Sequence, residues 1–371
     1  MSAVVVKIGT SSLTAEEGVI DASMVARLAR QVVGLRADGH NVVLVTSAAI
    51  AAGLPELGLG GVKRPSDPIT LQAVATVGQS ALMEVYRREF AGHGVVAGQV
   101  LLVPHDFIVR AQYLHARQTL GRLLELGVVP IVNENDAIAD DEIRWGDNDR
   151  LAALVANLVD ADRLVLLTDT EGLLTADPRI DQSASLIEEI HEIEHQHEEL
   201  AGGAGSVRGS GGMASKLAAA KIAAWSGVDT VIAAAVRDGV VADAVAGVAG
   251  VGTSVRARTN RLPARKAWIA FAVVAQGQIV VDIGARRALE DGKSLLAAGV
   301  REVSGSFDPG APIEILDTDG QAFAKGLVRH GADEIVRAAG HRSDELPLGA
   351  PAVVVHADDL VALPQDLTRR Q

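Results

Sequence analysis

A chain of 371 residues is too long for one small core, and roughly two domains are expected. Hydrophobic residues make up 48% but aromatics only 3%, so the interior must be assembled from Ala, Val, Leu and Ile, which suits helices packed on a Val-rich parallel sheet. The formal net charge of −13 argues against a general nucleic-acid binder, and the absence of cysteine excludes disulfides, thiolate catalysis and Cys-type zinc sites.

The opening MSAVVVKIGT has an apolar run too short for a signal sequence, and no apolar stretch of about 20 residues follows, so a soluble, cytoplasmic protein is expected. Strands are predicted at 3–8, 41–46, 95–103, 128–132, 163–168 and 230–234, and helices at 22–37, 70–90, 113–126, 150–158 and 213–225. Asp21 is the expected N-cap of the first helix, with Gly39 just past its end. The alternation predicts an α/β fold, an open, mostly parallel sheet sandwiched by helices. Lys7, Ser47, Asn133 and the pair Thr168-Asp169 fall at or just beyond the carboxyl ends of strands, the edge at which such sheets bind ligands.

Beyond about residue 175 the rhythm degrades into a polar loop (ADPRIDQSAS), a charged segment (HEIEHQHEEL) and a glycine loop (GGAGSVRGSGG). The stretch RARTNRLPARKAW reads as a linker between a first domain over 1–258 and a second over 265–371. In the second, short runs such as QIVVDIG, APIEILD and PAVVVHA alternate with Gly, Asp and Pro, predicting a small, mostly β barrel.

Four segments carry residues suited to chemistry. In VVVKIGTSSL, Lys7 closes an apolar strand beside a Gly/Ser/Thr turn, where an ammonium can meet phosphate; the alternative is a lysine snorkelling off a strand end. In VVLVTSAAIAAG, Ser47 sits on a strand-to-helix turn, as an anion-binding hydroxyl or as a plain N-cap. PIVNENDAIADDEIRWGDNDRLAAL places Asn133, Glu134, Asn135, Asp136, Asp147, Asn148 and Asp149 in two short loops. That exceeds what turns require and could hold an ammonium group, Mg²⁺ or a catalytic lysine, although Asp149 is also a credible N-cap. In GSGGMASKLAAAKIAAW, glycines 209, 211 and 212 lead into a helix carrying Lys216, so that backbone N–H groups and a cation could wrap phosphates. This is not a Walker A loop, because Leu217 follows the lysine, and GSGGMA lacks the preceding strand of a dinucleotide-binding turn. The text HEIEH from His191 to His195 matches a zinc-peptidase motif, but its Glu-rich setting reads as a surface helix.

Taken together, VVKIGTSSL, VLVTSAAIAAG, ATVGQ, PIVNENDAI, GDND, LLTDTEGLLTADPR and GSGGMASKLAAA resemble, in order, the amino-acid kinase superfamily, and within it the glutamate 5-kinase family. The text from QIVVDIG to KGLVRH resembles the PUA domain attached to many of these kinases. The resemblance implies ATP-dependent phosphorylation of the γ-carboxylate of L-glutamate, with Mg²⁺, as the first step of proline biosynthesis. It implies that Lys7 and Lys216 neutralise the transferring phosphoryl group and that Asp149 orients them. Ser47, Asn133, Asp136, Asp147 and Asn148 would form the amino-acid pocket. Thr168 and Asp169, with Ser210, Gly211, Gly212, Met213, Ala214, Ser215 and Lys216, would bind the nucleotide. A homo-oligomer and a downstream glutamyl-phosphate reductase are the implied partners. Two departures stand out: Ala48 where the family reads TSGAIAAG, and Ser210 where threonine is commoner.

The competing expectations are a related kinase for aspartate, carbamate or a nucleoside monophosphate, a regulatory pseudokinase, and an RNA-binding protein acting through the PUA-like segment. Against the last, that segment carries about a dozen basic and about fifteen acidic residues, giving no basic excess to follow a phosphate backbone.

Overall fold

A computed structural model of the protein describes residues 2–15, 19–60, 65–107, 109–139, 148–177, 181, 183–202, 212–259, 261–271, 273, 275–342, 345–346 and 351–363. The chain divides into two compact units, Met1–Arg261 and Leu262–Gln371.

The first unit begins with β1 (Ala3–Ile8), a short α1 (Thr10–Leu13), α2 (Ala22–Ala37), β2 (Asn41–Val45), α3 (Ala49–Glu56) and α4 (Pro68–Ala91). It continues through β3 (Ala97–Leu102), α5 (Arg110–Glu125), β4 (Val129–Glu134), α6 (Asn148–Leu158) and β5 (Arg163–Thr168). It ends with β6 (Glu189–Ile190), α7 (His195–Leu200), α8 (Met213–Trp225), β7 (Asp229–Ala234), α9 (Val240–Ala246) and β8 (Gly252–Val255). The eight strands form one sheet in the order β3-β4-β2-β1-β5-β7-β8-β6, in which only the β7–β8 pairing is antiparallel. From β1 the chain adds β2, then β3 at the sheet edge and β4 between the two, and then places β5 on the other side of β1. The order therefore reverses between β1 and β5, and the crevice at their carboxyl ends is where an open α/β sheet accommodates a ligand.

Period-two alternation assigns the two faces. Val4, Val6 and Ile8 of β1 join Val42 and Leu44 of β2 and Val129 and Ile131 of β4 in a core covered by α2, α4 and α9. Val5 and Lys7 have the opposite parity and face the layer of α6, which packs against β1 and α8. The predicted first helix and the helix of residues 213–225 form with the expected bounds, and Asp21 caps α2 by accepting from the Ser23 and Met24 N–H groups. α3 follows the strand-to-helix turn expected at Ser47, but its N-cap is Ala48, so the plain N-cap alternative for Ser47 is corrected.

Two further expectations are corrected. The surface helix expected across HEIEH starts only at His195, so His191 lies in a bend after β6 and the two histidines do not share a helical turn. Glu194 is instead the N-cap of α7, its backbone N–H donating to His197 Nδ1 at 3.0 Å. Part of the supposed linker is also ordered. α10 (Ala264–Phe271) carries Trp268, only 1% exposed, because an indole of that size is worth more buried than in a solvated connector.

In the second unit α10 is followed by β9 (Gly277–Val281), α11 (Ile283–Glu290), β10 (Leu295–Leu296), β11 (Val300–Gly305), β12 (Pro312–Leu316), β13 (Ala322–Val328), α12 (Ala332–Ala338) and β14 (Val353–Ala362). The strands make one sheet in the order β10-β14-β13-β12-β9-β11, with register shifts at several pairings that curl it around its own core of Ile279, Val281, Ile313, Ile315, Val354 and Val355.

Candidate active site

The carboxyl ends of four adjacent strands, β4, β2, β1 and β5, bring the functional residues to one edge. Lys7, Thr46, Gln79, Asn133, Glu134, Asn148, Asp149, Thr168 and Lys216 are all buried there, in a unit whose interior is otherwise almost wholly aliphatic. Buried polar groups on this scale are costly unless they bond to one another or to a ligand.

Asp149 is the hub. The first turn of α6 contains it, 0% exposed, so it is not the N-cap that its position in the sequence allowed. Lys7 Nζ approaches Asp149 Oδ1 at 2.5 Å, and Lys216 Nζ approaches Asp149 Oδ2 at 3.1 Å. One lysine comes from the central strand and the other from the first turn of α8, yet they straddle the two oxygens of a single carboxylate. Taken alone, the trio carries a net charge of +1, which suits an anionic ligand. Ser215 Oγ, also on α8, lies 2.9 Å from Asp149 Oδ2 and 2.7 Å from the Gly212 carbonyl oxygen.

Gly212 is the N-cap of α8, with an ordinary φ of −77°. Among the described residues a side chain there would meet nothing within 4 Å, so glycine leaves the helix N-terminus uncovered by them. Backbone N–H groups and the helix dipole make such a terminus an anion site, with Lys216 within the next turn. Met213 and Ala214 are half-buried on that turn. Thr168 is buried at the end of β5 and donates to the exposed Asp169 carboxylate at 3.1 Å. Asp147, Ser210 and Gly211 lie outside the described residues. Among the described residues no group of three or more His, Cys, Asp or Glu is placed to hold a metal ion.

On the other side of β1 stands a cluster of amides. Asn148 Nδ2 donates to the Thr46 carbonyl oxygen at 2.6 Å, to Asn133 Oδ1 at 2.6 Å and to Ser47 Oγ at 3.1 Å. The structure therefore brings Ser47, Asn133 and Asn148 together. Asp136 is half-buried in the turn after β4, which the Ile138 and Ala139 N–H groups close on the Asn135 carbonyl. Thr46 is fixed from behind: its N–H donates to the Val132 carbonyl at 2.9 Å, and its hydroxyl lies 2.9 Å from that of Tyr86. Burial pushes the Tyr86 phenol well above its ordinary value, so it stays a neutral hydroxyl.

The sequence reading missed two features of this edge. Gln79, within ATVGQ, is not among the expected site residues, yet its Oε1 accepts from Asn133 Nδ2 at 2.8 Å. The available signal was a polar residue on the apolar stripe that runs on through Leu82, Met83, Tyr86 and Phe90 of α4. Ala48 is the N-cap of α3 and has φ +83°, in the left-handed region that favours glycine. The departure from TSGAIAAG therefore bears on the backbone as well as on the space beside Ser47.

The sequence profile of the Amino acid kinase family matches residues 2–234, and that of the PUA domain matches residues 277–347. A glutamate 5-kinase of Ralstonia nicotianae is 47% identical over 364 residues, covering 97% of this chain and 96% of that protein. A glutamate 5-kinase of Pelobacter propionicus is 44% identical over 365 residues, covering 97% of each. Among solved structures, a UMP kinase of Bacillus anthracis aligns with 69% of this chain and 96% of its own at 15% identity and a TM-score of 0.48. Likeness that runs nearly end to end, through the lysine-bearing unit and the curled sheet alike, makes the chain a member of the amino acid kinase family, in its glutamate 5-kinase branch with a PUA domain.

Proposed function

We infer that the protein transfers the γ-phosphoryl group of ATP to the γ-carboxylate of L-glutamate, giving glutamyl 5-phosphate and ADP, the first step of proline biosynthesis. The observation that carries this reading is the convergence of Lys7 and Lys216 on Asp149. A carboxylate with an ordinary pKa of about 4.3 is already ionised at neutral pH, so the acceptor needs no general base. A carboxylate oxygen attacks the γ-phosphorus, the bond to the bridging oxygen breaks, and the electron pair leaves with ADP. The protein's task is alignment and charge neutralisation. The two ammonium groups meet the equatorial oxygens of the migrating phosphoryl group, and Asp149 holds both in place before substrate arrives, so little reorganisation is left for the transition state.

Ser47, Asn133, Asp136, Asp147 and Asn148 bind glutamate in this reading, and Asn148 already touches the first two. Thr168, Asp169 and the segment Ser210, Gly211, Gly212, Met213, Ala214, Ser215 and Lys216 receive the nucleotide, supported by the helix start at Gly212, which the described residues leave uncovered. Ser215 also steadies Asp149. Mg²⁺, if carried in by ATP, would be held chiefly by substrate oxygens and would supply charge neutralisation on the phosphates. Among the described residues no helix is long and apolar enough to cross a membrane, and a cytoplasmic location is the matching proposal. An acyl phosphate is reactive towards water, so a glutamyl-phosphate reductase is the expected consumer, and a homo-oligomer is the expected assembly.

Trapping the product with hydroxylamine tests the reaction. Protein supplied with L-glutamate and Mg-ATP should yield γ-glutamyl hydroxamate in proportion to ADP. Folded protein that consumes no ATP and gives no hydroxamate would sink this reading.

A further inference from the structure

Three buried amides, on α6, β4 and α4, bond head to tail. Asn148 Nδ2 donates to Asn133 Oδ1 at 2.6 Å, and Asn133 Nδ2 donates to Gln79 Oε1 at 2.8 Å. An amide can present either its oxygen or its nitrogen to a neighbour, so such a chain could in principle run in either direction. Two backbone groups remove that freedom. The Glu134 N–H can only donate, and it donates to Asn133 Oδ1 at 2.9 Å, which obliges Asn133 to turn Nδ2 towards Gln79. The Thr46 carbonyl can only accept, and it takes Asn148 Nδ2 at 2.6 Å.

With Asn148 and Asn133 anchored, and Gln79 Oε1 taken by Asn133, the unused atoms are fixed by elimination. Among the described residues Asn148 Oδ1 is left as a buried acceptor without a hydrogen-bond partner, and Gln79 Nε2 as a buried donor in the same condition. A buried polar atom is rarely left unmade without a reason, and a bound ligand is one. Gln79 itself is 9% exposed on a helix face whose other members are hydrocarbon or aromatic, where an aliphatic side chain would serve packing better.

We propose that Gln79 is a positioning residue for the amino-acid substrate: its Oε1 locks the Asn133 amide, and through it the Asn148 amide, so that Asn148 Oδ1 accepts a hydrogen bond from the α-ammonium group. The proposal rests on the reading of the protein as a glutamate kinase. Without an acceptor at position 79, Asn133 Nδ2 is left buried and unpaired, and the amide is held only through Oδ1, free to tilt in search of another acceptor. Asn148 Nδ2 then keeps the Thr46 carbonyl but has a weakened bond to Asn133, so Oδ1 is held less firmly towards the ammonium group. The effect falls on recognition of the ammonium group and leaves the nucleotide side untouched. It is therefore read in the preference for glutamate over glutarate, the same dicarboxylate without the amine.

The test compares wild-type protein, Gln79→Met and Gln79→Glu, with melting curves to confirm folding. Phosphorylation of L-glutamate and glutarate is followed with Mg-ATP, and binding of each is measured by calorimetry without nucleotide. Gln79→Met should raise KM for glutamate by roughly tenfold or more, the effect of losing one charge-assisted hydrogen bond, with KM for ATP unchanged and the glutamate-to-glutarate preference reduced by the same factor. Gln79→Glu keeps an acceptor oxygen and replaces Nε2 with a second carboxylate oxygen; the added charge falls on the KM of both dicarboxylates, while most of the preference should be recovered. A folded Gln79→Met that keeps the wild-type preference overturns the proposal. So does a folded Gln79→Glu that has lost it, because Nε2 would then be the ligand contact. If Gln79→Met does not fold, Gln79→Glu decides alone. Wild-type protein that binds glutamate but makes no acyl phosphate sinks the kinase reading, whereas equal binding of glutamate and glutarate sinks this inference.

Discussion

Asp149 has two buried ammonium groups to satisfy, and this asymmetry separates its variants from those of the lysines. Lys7→Met removes one like charge and leaves a neutral Asp149–Lys216 pair. Melting curves should show no loss of stability, while kcat falls by roughly 10²–10³, the effect of removing one transition-state donor. Asp149→Asn leaves two buried cations facing an amide, and breaking a buried pair in this way costs about 3–5 kcal/mol. Both Tm and kcat should drop; an Asp149→Asn protein as stable as wild type would contradict the buried geometry. At position 48 the strain is in the backbone. A non-glycine residue in the left-handed region costs about 1–2 kcal/mol, partly offset by the greater freedom of glycine in the unfolded chain. Ala48→Gly should therefore raise Tm by about 2–4 °C per kcal/mol gained, with a net gain of about 1 kcal/mol at most.

At the scale of elements, the site depends on how closely α3 and α4 approach. A Cβ on Gly78 would lie 1.9 Å from the Ala49 carbonyl oxygen and 2.3 Å from the Gly53 nitrogen, and one on Gly53 would lie 2.1 Å from the Val74 carbonyl oxygen. The two helix backbones touch at these glycines, next to Gln79, whose Oε1 meets Asn133 of β4. Gly78→Ala must push the helices apart, costing about 1–3 kcal/mol as overpacking. The loss should appear as a lower Tm together with a higher KM for glutamate. A helix cap gives the pH dependence. The Ser23 hydroxyl, reinforced by the Met24 and Ser23 N–H groups, holds the Asp21 carboxyl below its ordinary value of 3.8. Because the folded value is depressed, this contribution is complete above pH of about 4 and is lost as pH falls through the folded value. The advantage of wild type over Asp21→Asn in Tm should hold steady from neutral pH down to about 5 and close below 3.8.

At the scale of the molecule, each unit has its own core, and every described residue of the candidate site belongs to the first. A chain ending at Arg261 should therefore fold cooperatively and still form glutamyl hydroxamate, within roughly tenfold of the full-length rate. Loss of the reaction in a folded fragment would show that the curled-sheet unit contributes to the chemistry.

The strand and helix rhythm, the strand-end placement of Lys7, Asn133 and Thr168, and the glycine-led helix with Lys216 were legible in the sequence because they follow from local periodicity and turn chemistry. The family motifs named the lysines and implied that Asp149 orients them, but no local rule joins residues 7, 149 and 216. That one carboxylate bridges two lysines follows from β1 pairing between β2 and β5 while α6 and α8 pack on the same face. The same holds for Gln79, an unremarked polar residue in a helix until α4 is laid against β4, and for Ala48, whose strain exists only once the turn into α3 is closed. Sequence specifies which groups each segment can offer, whereas hydrogen-bond direction and charge pairing depend on which segments meet.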